Sequence, residues 1–388
     1  MGRPILFWGK ILLCLAGFVL SSPAAASPLK IKKGPILHYR QGQLQVWVQG
    51  KFKDPHVEWR LQGQEKQISM KKAAKKFWSA GLDELEGEYR VVDGGDATPW
   101  IPILYQKEKD KKFRVVVYGS NLTGLGHSPI HNNLLTAMKN ENPSLVLHTG
   151  GLVASGGEKR FWNQFFQEGR ELFQSIPFQP VIGMPDRSKT GAFAENVHAG
   201  DNERTRYYYQ YGPAHFIALD TTQNFKPGSK QYRFLQETLE SLRGQSPIIV
   251  YFYHPAFSAS VQGGDSRVLE YLVPLFEDFG VDLVLSGQEH GYQRTHPING
   301  VSYVVTGGGG AYPTAIADDP HLAAYKSLYH YVVFDVDGEN IRGTMKGAQG
   351  AVEDSFEWNH RSNPVPQEMR QARPEMKKSR RYQYADPY

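Results

Sequence analysis

The side chains best suited to chemistry fall in five short stretches, each following an apolar run. They are Tyr118-Gly119-Ser120-Asn121, His148-Thr149-Gly150-Gly151, Ile182-Gly183-Met184-Pro185-Asp186, Tyr253-His254-Pro255 and Ser286-Gly287-Gln288-Glu289-His290. In open α/β folds ligands lie just outside the carboxyl ends of the strands, so these stretches mark the place for a site. The imidazoles and carboxylates among them are groups that ligate metals or move protons. Four glycines, Gly307 to Gly310, follow a further apolar run and offer either an anion-binding nest of amides or tight packing beside the strand. Ser120 has no adjacent base, which argues against a serine nucleophile. His148 and His296 precede loops and read as structural, and His127, His131, His198 and His215 lack metal-ligand spacing. The chain contains no P-loop, no paired CxxC and no HExxH.

The elements that must position these residues alternate from Phe113 onward. Strand-like runs are expected at Val115–Tyr118, Leu145–His148, Pro180–Ile182, Phe216–Leu219, Ile248–Tyr253, Val281–Leu285 and Val301–Val305. Between them, amphipathic stretches at Ile130–Asn140, Lys159–Ser175, Gln231–Leu242 and Ser266–Phe279 read as helices, the pattern of an α/β domain. Tyr329–Val336 and Asn340–Lys346 read as closing strands. Upstream, residues 29–106 read as a small all-β domain. Leu44, Val46 and Val48 alternate with Gln45, Trp47 and Gln49, and Val57, Trp59 and Leu61 repeat the two-residue period. Leu85 to Tyr89 resembles the tyrosine corner of immunoglobulin-like sandwiches. The lysines at 71, 72, 75 and 76 form a solvated basic run, and 107–112 is a charged linker.

Length, 388 residues, suggests two domains, and a formal charge of +5 is too mild to argue for nucleic acid. Arg3 and Lys10, the apolar run Ile11–Leu20 and Ala24-Ala25-Ala26 read as a signal peptide cleaved after Ala26. The run is about half the ~20 residues needed to span a membrane. Secretion, or export to a periplasm or cell envelope, is expected. The mature chain would lack cysteine, since Cys14 lies inside the signal. Residues 359–388, rich in Arg and Lys with little apolar content, read as a disordered basic tail able to dock on an anionic surface.

The five stretches, in this order, resemble the calcineurin-like metallophosphoesterases and within them the purple-acid-phosphatase-like branch. That branch has GD, GD, GNHD or GNHE, a lone His after an apolar strand, then GHxH. Gly34-Pro35-Ile36-Leu37 is similar to the start of its fibronectin-like N-terminal domain. Leu147 to Gly150, Tyr292 to Pro297 and Thr306 to Gly310 are also similar, so the resemblance runs from about Gly34 to Trp358. It implies an all-β sandwich followed by a four-layer domain of two packed mixed sheets flanked by helices. It also implies a hydrolase of phosphoric esters with two metal ions drawn from iron, zinc and manganese.

The ligands that the resemblance calls for are mostly replaced. Ser120 stands at the first aspartate position and Gly151 at the metal-bridging one. Met184 replaces the asparagine, Pro185 the histidine beside it and Gln288 the first histidine of GHxH. Ala154 stands where the tyrosinate to ferric iron would be. His254 and His290 match ligand positions, and Asp186 matches the acidic residue after GNH. Glycine offers no donor and methionine sulfur suits hard cations poorly. The expected protein is therefore an inactive, metal-free member with a binding or scaffolding role, its old cleft rimmed by Arg187, Tyr292 and Arg294 and open to an anionic ligand. Two alternatives stand beside it. One is an active phosphoesterase with a single metal on His254 and His290, helped by Glu289 or Asp186. The other is an envelope adhesion module.

Overall fold

The computed structural model describes residues 27–40, 42–74, 76–83, 86–104, 112–126, 128–189, 191–197, 205–245, 247–359 and 365–379. The expected signal peptide, with Cys14, lies outside them, as do His127, His198 and most of the charged linker.

The N-terminal domain is a sandwich of two sheets. Lys33–Arg40, Gln43–Gln49, Phe77–Leu82 and Lys71–Ala74 form one. The other is built on His56–Leu61, Gln64–Ser69 and Glu88–Asp93. Leu44, Val46 and Val48 point between the sheets, as their alternation predicts. Trp47, on the opposite face, is buried as well. Its ring packs on Phe77 and Phe166, and its indole N–H donates to the Val197 carbonyl at 3.3 Å. The outer face of this sheet is a domain interface, and burying one such ring stabilises the junction by about 2 kcal/mol. Tyr89 also departs from expectation. Its hydroxyl donates to the Gln174 carbonyl, 85 positions away on the second domain, instead of closing a local corner.

The second domain has four layers. Phe178–Pro180, Leu145–His148 and Lys112–Tyr118 run parallel in one sheet, continued antiparallel by His330–Asp337, Asn340–Gly347 and Val352–Asn359. The other sheet runs Tyr207–Tyr211, Ala214–Ala218, Ile248–Phe252, Leu283–Ser286, Ser302–Thr306, Tyr292–Thr295, Leu322–Lys326. Successive side chains serve opposite faces. Val115, Val117, Leu145, Tyr251 and Leu285 fill the space between the sheets, in one cluster with the sandwich core of Leu37, Leu44 and Trp59. Val116 and Val146 face outward to helices α1 (Ser128–Asn140), α2 (Lys159–Glu168), α3 (Arg170–Phe173) and α4 (Ala192–Val197). On the far side Ile217, Val250 and Val284 meet α5 (Lys230–Ser241), α6 (Ser266–Tyr271) and α7 (Val273–Asp278).

Two expected helices are each divided. The stretch 159–175 breaks at Gly169, and 266–279 breaks at Leu272, just before Pro274, whose ring and missing N–H disfavour continuation. The expected strand Pro180–Ile182 lies two residues earlier.

The expectation of a disordered tail is corrected for residues 365–379, which run across the second domain. Arg373 clamps the buried Glu277 carboxylate at 3.0 and 2.7 Å, and Arg370 donates to Asp278 at 2.6 Å. Gln371 and Asn299 exchange two hydrogen bonds, and Asp319 accepts the Lys377 amide at 2.7 Å. The arginines that suggested solvation are ion-pair partners for acids of α7. No helix among the described residues is long and apolar enough to cross a membrane.

Candidate functional site

The chemistry-bearing stretches converge because their backbones interlock. The Ser120 amide donates to the Gly150 carbonyl at 2.9 Å and the Gly287 amide to Tyr253 at 3.1 Å. The Gly309 amide donates to Gly119 and the Ala311 amide to Ser120, at 2.8 and 3.0 Å. Gly309 therefore spends its amide on the strand end, and a Cβ at Gly307 or Gly309 would collide with a neighbouring carbonyl. Close packing, the second of the two roles considered for these glycines, accounts for them.

At the first two ligand positions stand a hydroxyl and a hydrogen. Ser120 has a left-handed backbone (φ 52°) and is fully buried, its Oγ unbonded among the described residues. Gly151 (φ 74°) lies against it, a Cβ there falling 3.1 Å from Ser120 Cα. The Met184 side chain is 49% exposed. Pro185 contributes only its carbonyl, to the Gly156 amide at 2.7 Å. Gln288, also left-handed at φ 68°, donates to Gln262 Oε1 at 2.7 Å.

His254 is nearly buried and its Nδ1 shares a 2.8 Å hydrogen bond with Thr221 Oγ1. Burial lowers its pKa, so the ring is neutral at neutral pH. His290 donates from Nδ1 to the Tyr312 carbonyl at 3.1 Å. Glu289 is buried, one carboxylate oxygen unbonded among the described residues, and burial pushes its pKa up to about 7. Asp186 is a loop clamp. Its Oδ2 accepts the amides of Gly151 and Gly183, each at 2.8 Å, and its Oδ1 accepts that of Val153 at 2.9 Å. All three donors are backbone, so the carboxylate is committed to shaping the glycine turns.

Two of the three expected anion-binding residues are placed differently. Arg294 forms a two-pronged pair with Asp354 at 2.8 and 3.1 Å, and the Tyr292 hydroxyl donates to the same carboxylate at 2.7 Å. This partner belongs to the other sheet, so the pair ties the two sheets together and engages both side chains with Asp354. Arg187 is exposed, with one N–H on the Thr222 carbonyl. Sequence reasoning passed over Tyr253. Its ring lies over Gly150 and Gly183, and a Cβ at either would meet Tyr253 Cδ2 at 2.7 or 2.8 Å. Its position beside His254 was the available signal. His148 and His131 are structural. The first accepts the Gly150 amide on Nδ1 and bonds Asn121 through Nε2, and the second pairs with Glu168 at 2.7 Å.

Among the described residues no three His, Cys, Asp or Glu side chains gather as a ligand set. A dinuclear site needs several donors per ion and a bridging oxygen. The side chains at these positions do not fit that group.

No protein-family profile matches the chain. A protein named "Probable inactive purple acid phosphatase 1" of Arabidopsis thaliana is 24% identical over 259 residues, 54% of this chain and 42% of that one. A barley (Hordeum vulgare) "Nucleotide pyrophosphatase/phosphodiesterase" is 25% identical over 268 residues, 56% of this chain and 72% of its own length. The matched span covers less than half of the Arabidopsis relatives. Among solved structures, purple acid phosphatase PPD1 of yellow lupin superposes with a TM-score of 0.74 at 18% identity, covering 86% of this chain and 74% of that one. The strand-end motifs, the sandwich and the four-layer domain make the chain similar, in sequence and in fold, to the purple-acid-phosphatase-like branch of the calcineurin-like metallophosphoesterases.

Proposed function

We propose that this protein is an exported, catalytically inactive member of its family that acts by binding or scaffolding in the cell envelope. The observation that carries this reading is Gly151. At the position where two metals would share a carboxylate there is no side chain, the backbone amide is held by Asp186, and the neighbour is the buried hydroxyl of Ser120. His254 and His290 hydrogen-bond Thr221 and Tyr312. Export rests on the charged and apolar pattern of residues 1–26. Arg187, exposed next to Asp186, is suited to an anionic group on a partner or ligand.

The test is elemental analysis of the purified protein together with hydrolysis of an aryl phosphate in added zinc, manganese or iron. The expected result is substoichiometric metal and no turnover above buffer. Stoichiometric metal with turnover that His254→Ala abolishes would overturn the proposal in favour of a one-metal phosphoesterase.

A further inference from the structure

Away from the cleft, the start of the strand Lys33–Arg40 meets helices α2 and α3 around a cavity of about 360 Å³. Lys32, Lys33 and Arg170 line it, with the amides of Asn163 and Gln167 and the ring of Phe166. The Lys33 side chain is buried. Its ammonium donates to Asn196 Oδ1 and lies 5.7 Å from the centre of the Phe166 ring. Both partners are uncharged. Lys159 adds a fourth cation close enough to act on Lys33. Among the described residues none of these four side chains forms an ion pair.

The acids nearby do not settle the imbalance. Glu171, the one carboxylate in the lining, is engaged by Lys139 at 2.8 Å. Glu195 acts on Lys33 from α4, but burial and Lys32 outweigh it and hold the amine down to about 7. An unpaired ammonium out of water is costly, and an anion seated beside it would offset that cost.

We propose that this junction pocket is an anion site that takes a phosphate group, with Lys32, Lys33 and Arg170 supplying charge from two domains. Arg170 offers the forked donor pair that suits phosphate oxygens, and Asn163 and Gln167 add neutral donors. The volume lies at the small end of ligand pockets, which suits inorganic phosphate or a compact phosphomonoester. The site is separate from the metal-ligand positions and does not depend on the proposed inactivity.

The experiment is titration calorimetry of the full chain at low ionic strength, with inorganic phosphate in one arm and glycerol phosphate in the other. The probe is expected to bind with a Kd below ~1 mM, weakening about tenfold in Arg170→Gln and further in Lys32→Gln/Arg170→Gln. Both replaced side chains are exposed, so these variants are expected to fold, with circular dichroism as the check. Arg243→Gln, an exposed position after α5 and outside the pocket lining, should bind as the parent does. Tighter binding of the ester would identify an organic phosphate as the ligand, and equal binding would identify the free ion. No heat with either probe at ~10 mM, or unchanged affinity in the double variant, overturns the proposal.

Discussion

The Asp186 carboxylate takes the Gly151 amide hydrogen at 2.8 Å and so shapes the glycine turn at the strand end. With Gly183 and Val153 donating as well, both carboxylate oxygens accept backbone amides, which oppose the burial that raises the Asp186 pKa to about 7. Asp186→Asn would aim an amide N–H2 at one or more backbone donors. The expected loss is about 2–3 kcal/mol, read as a lower urea midpoint with unchanged slope.

Glu289 should give the fold a pH signature. Its folded pKa is raised to about 7 by burial, from the ordinary carboxylate value of 4.5. In the window between those values the folded state holds a proton that the unfolded chain has lost, so stability declines as pH rises from 4.5 through 7. The protonated form's advantage is fully present below 4.5. The loss across the window is about 3 kcal/mol at most, and denaturation midpoints of Glu289→Gln should lose this part of the slope. An unchanged slope would show that Glu289 does not titrate there.

Gly151→Asp restores the acid of the family motif without restoring its chemistry. The position has φ 74° and a Cβ there would press on Ser120 Cα. The expected outcome is destabilisation of about 1–2 kcal/mol and no gain of stoichiometric zinc or manganese, measured by melting and elemental analysis.

The docked segment 365–379 depends on a buried acid. Arg373→Ala leaves Glu277 with the neutral Asn299 amide at 3.0 Å and with Arg370, 3.9 Å away, whose own closer pair is Asp278. The cost is expected to be about 2–3 kcal/mol. Limited proteolysis should cut before residue 380 in this variant sooner than in the parent, and Arg373→Lys should recover part of the protection.

Much of the fold was legible because it rests on local periodicity. The Gln43–Gln49 strand, the outward and inward valines near 115–117 and the glycine-rich strand ends all show in the sequence as alternation or as punctuation. Partners distant in sequence were not legible. Trp47 reads as a solvent-side residue until α2 arrives to cover it. Arg294 and Tyr292 read as free donors until Asp354, sixty positions later, accepts from both. The tail arginines read as solvated because nothing in their own neighbourhood reveals Glu277. The substitutions at Ser120, Gly151, Met184, Pro185 and Gln288 were legible from motif spacing. The Tyr253 ring over Gly150 and Gly183 was not, since that contact exists only once three loops meet.

The apolar cluster that joins Leu37 and Trp59 to Val117 and Leu285 has a consequence for how such a protein can change over time. Its two domains are not beads that recombination can exchange. A cut in the linker would yield two fragments, each with a raw greasy face and neither with a reason to stay soluble. Loop ends can be rewritten residue by residue while that shared interior holds. A lineage can therefore alter the residues at its strand ends and still inherit, intact, the body that carries them.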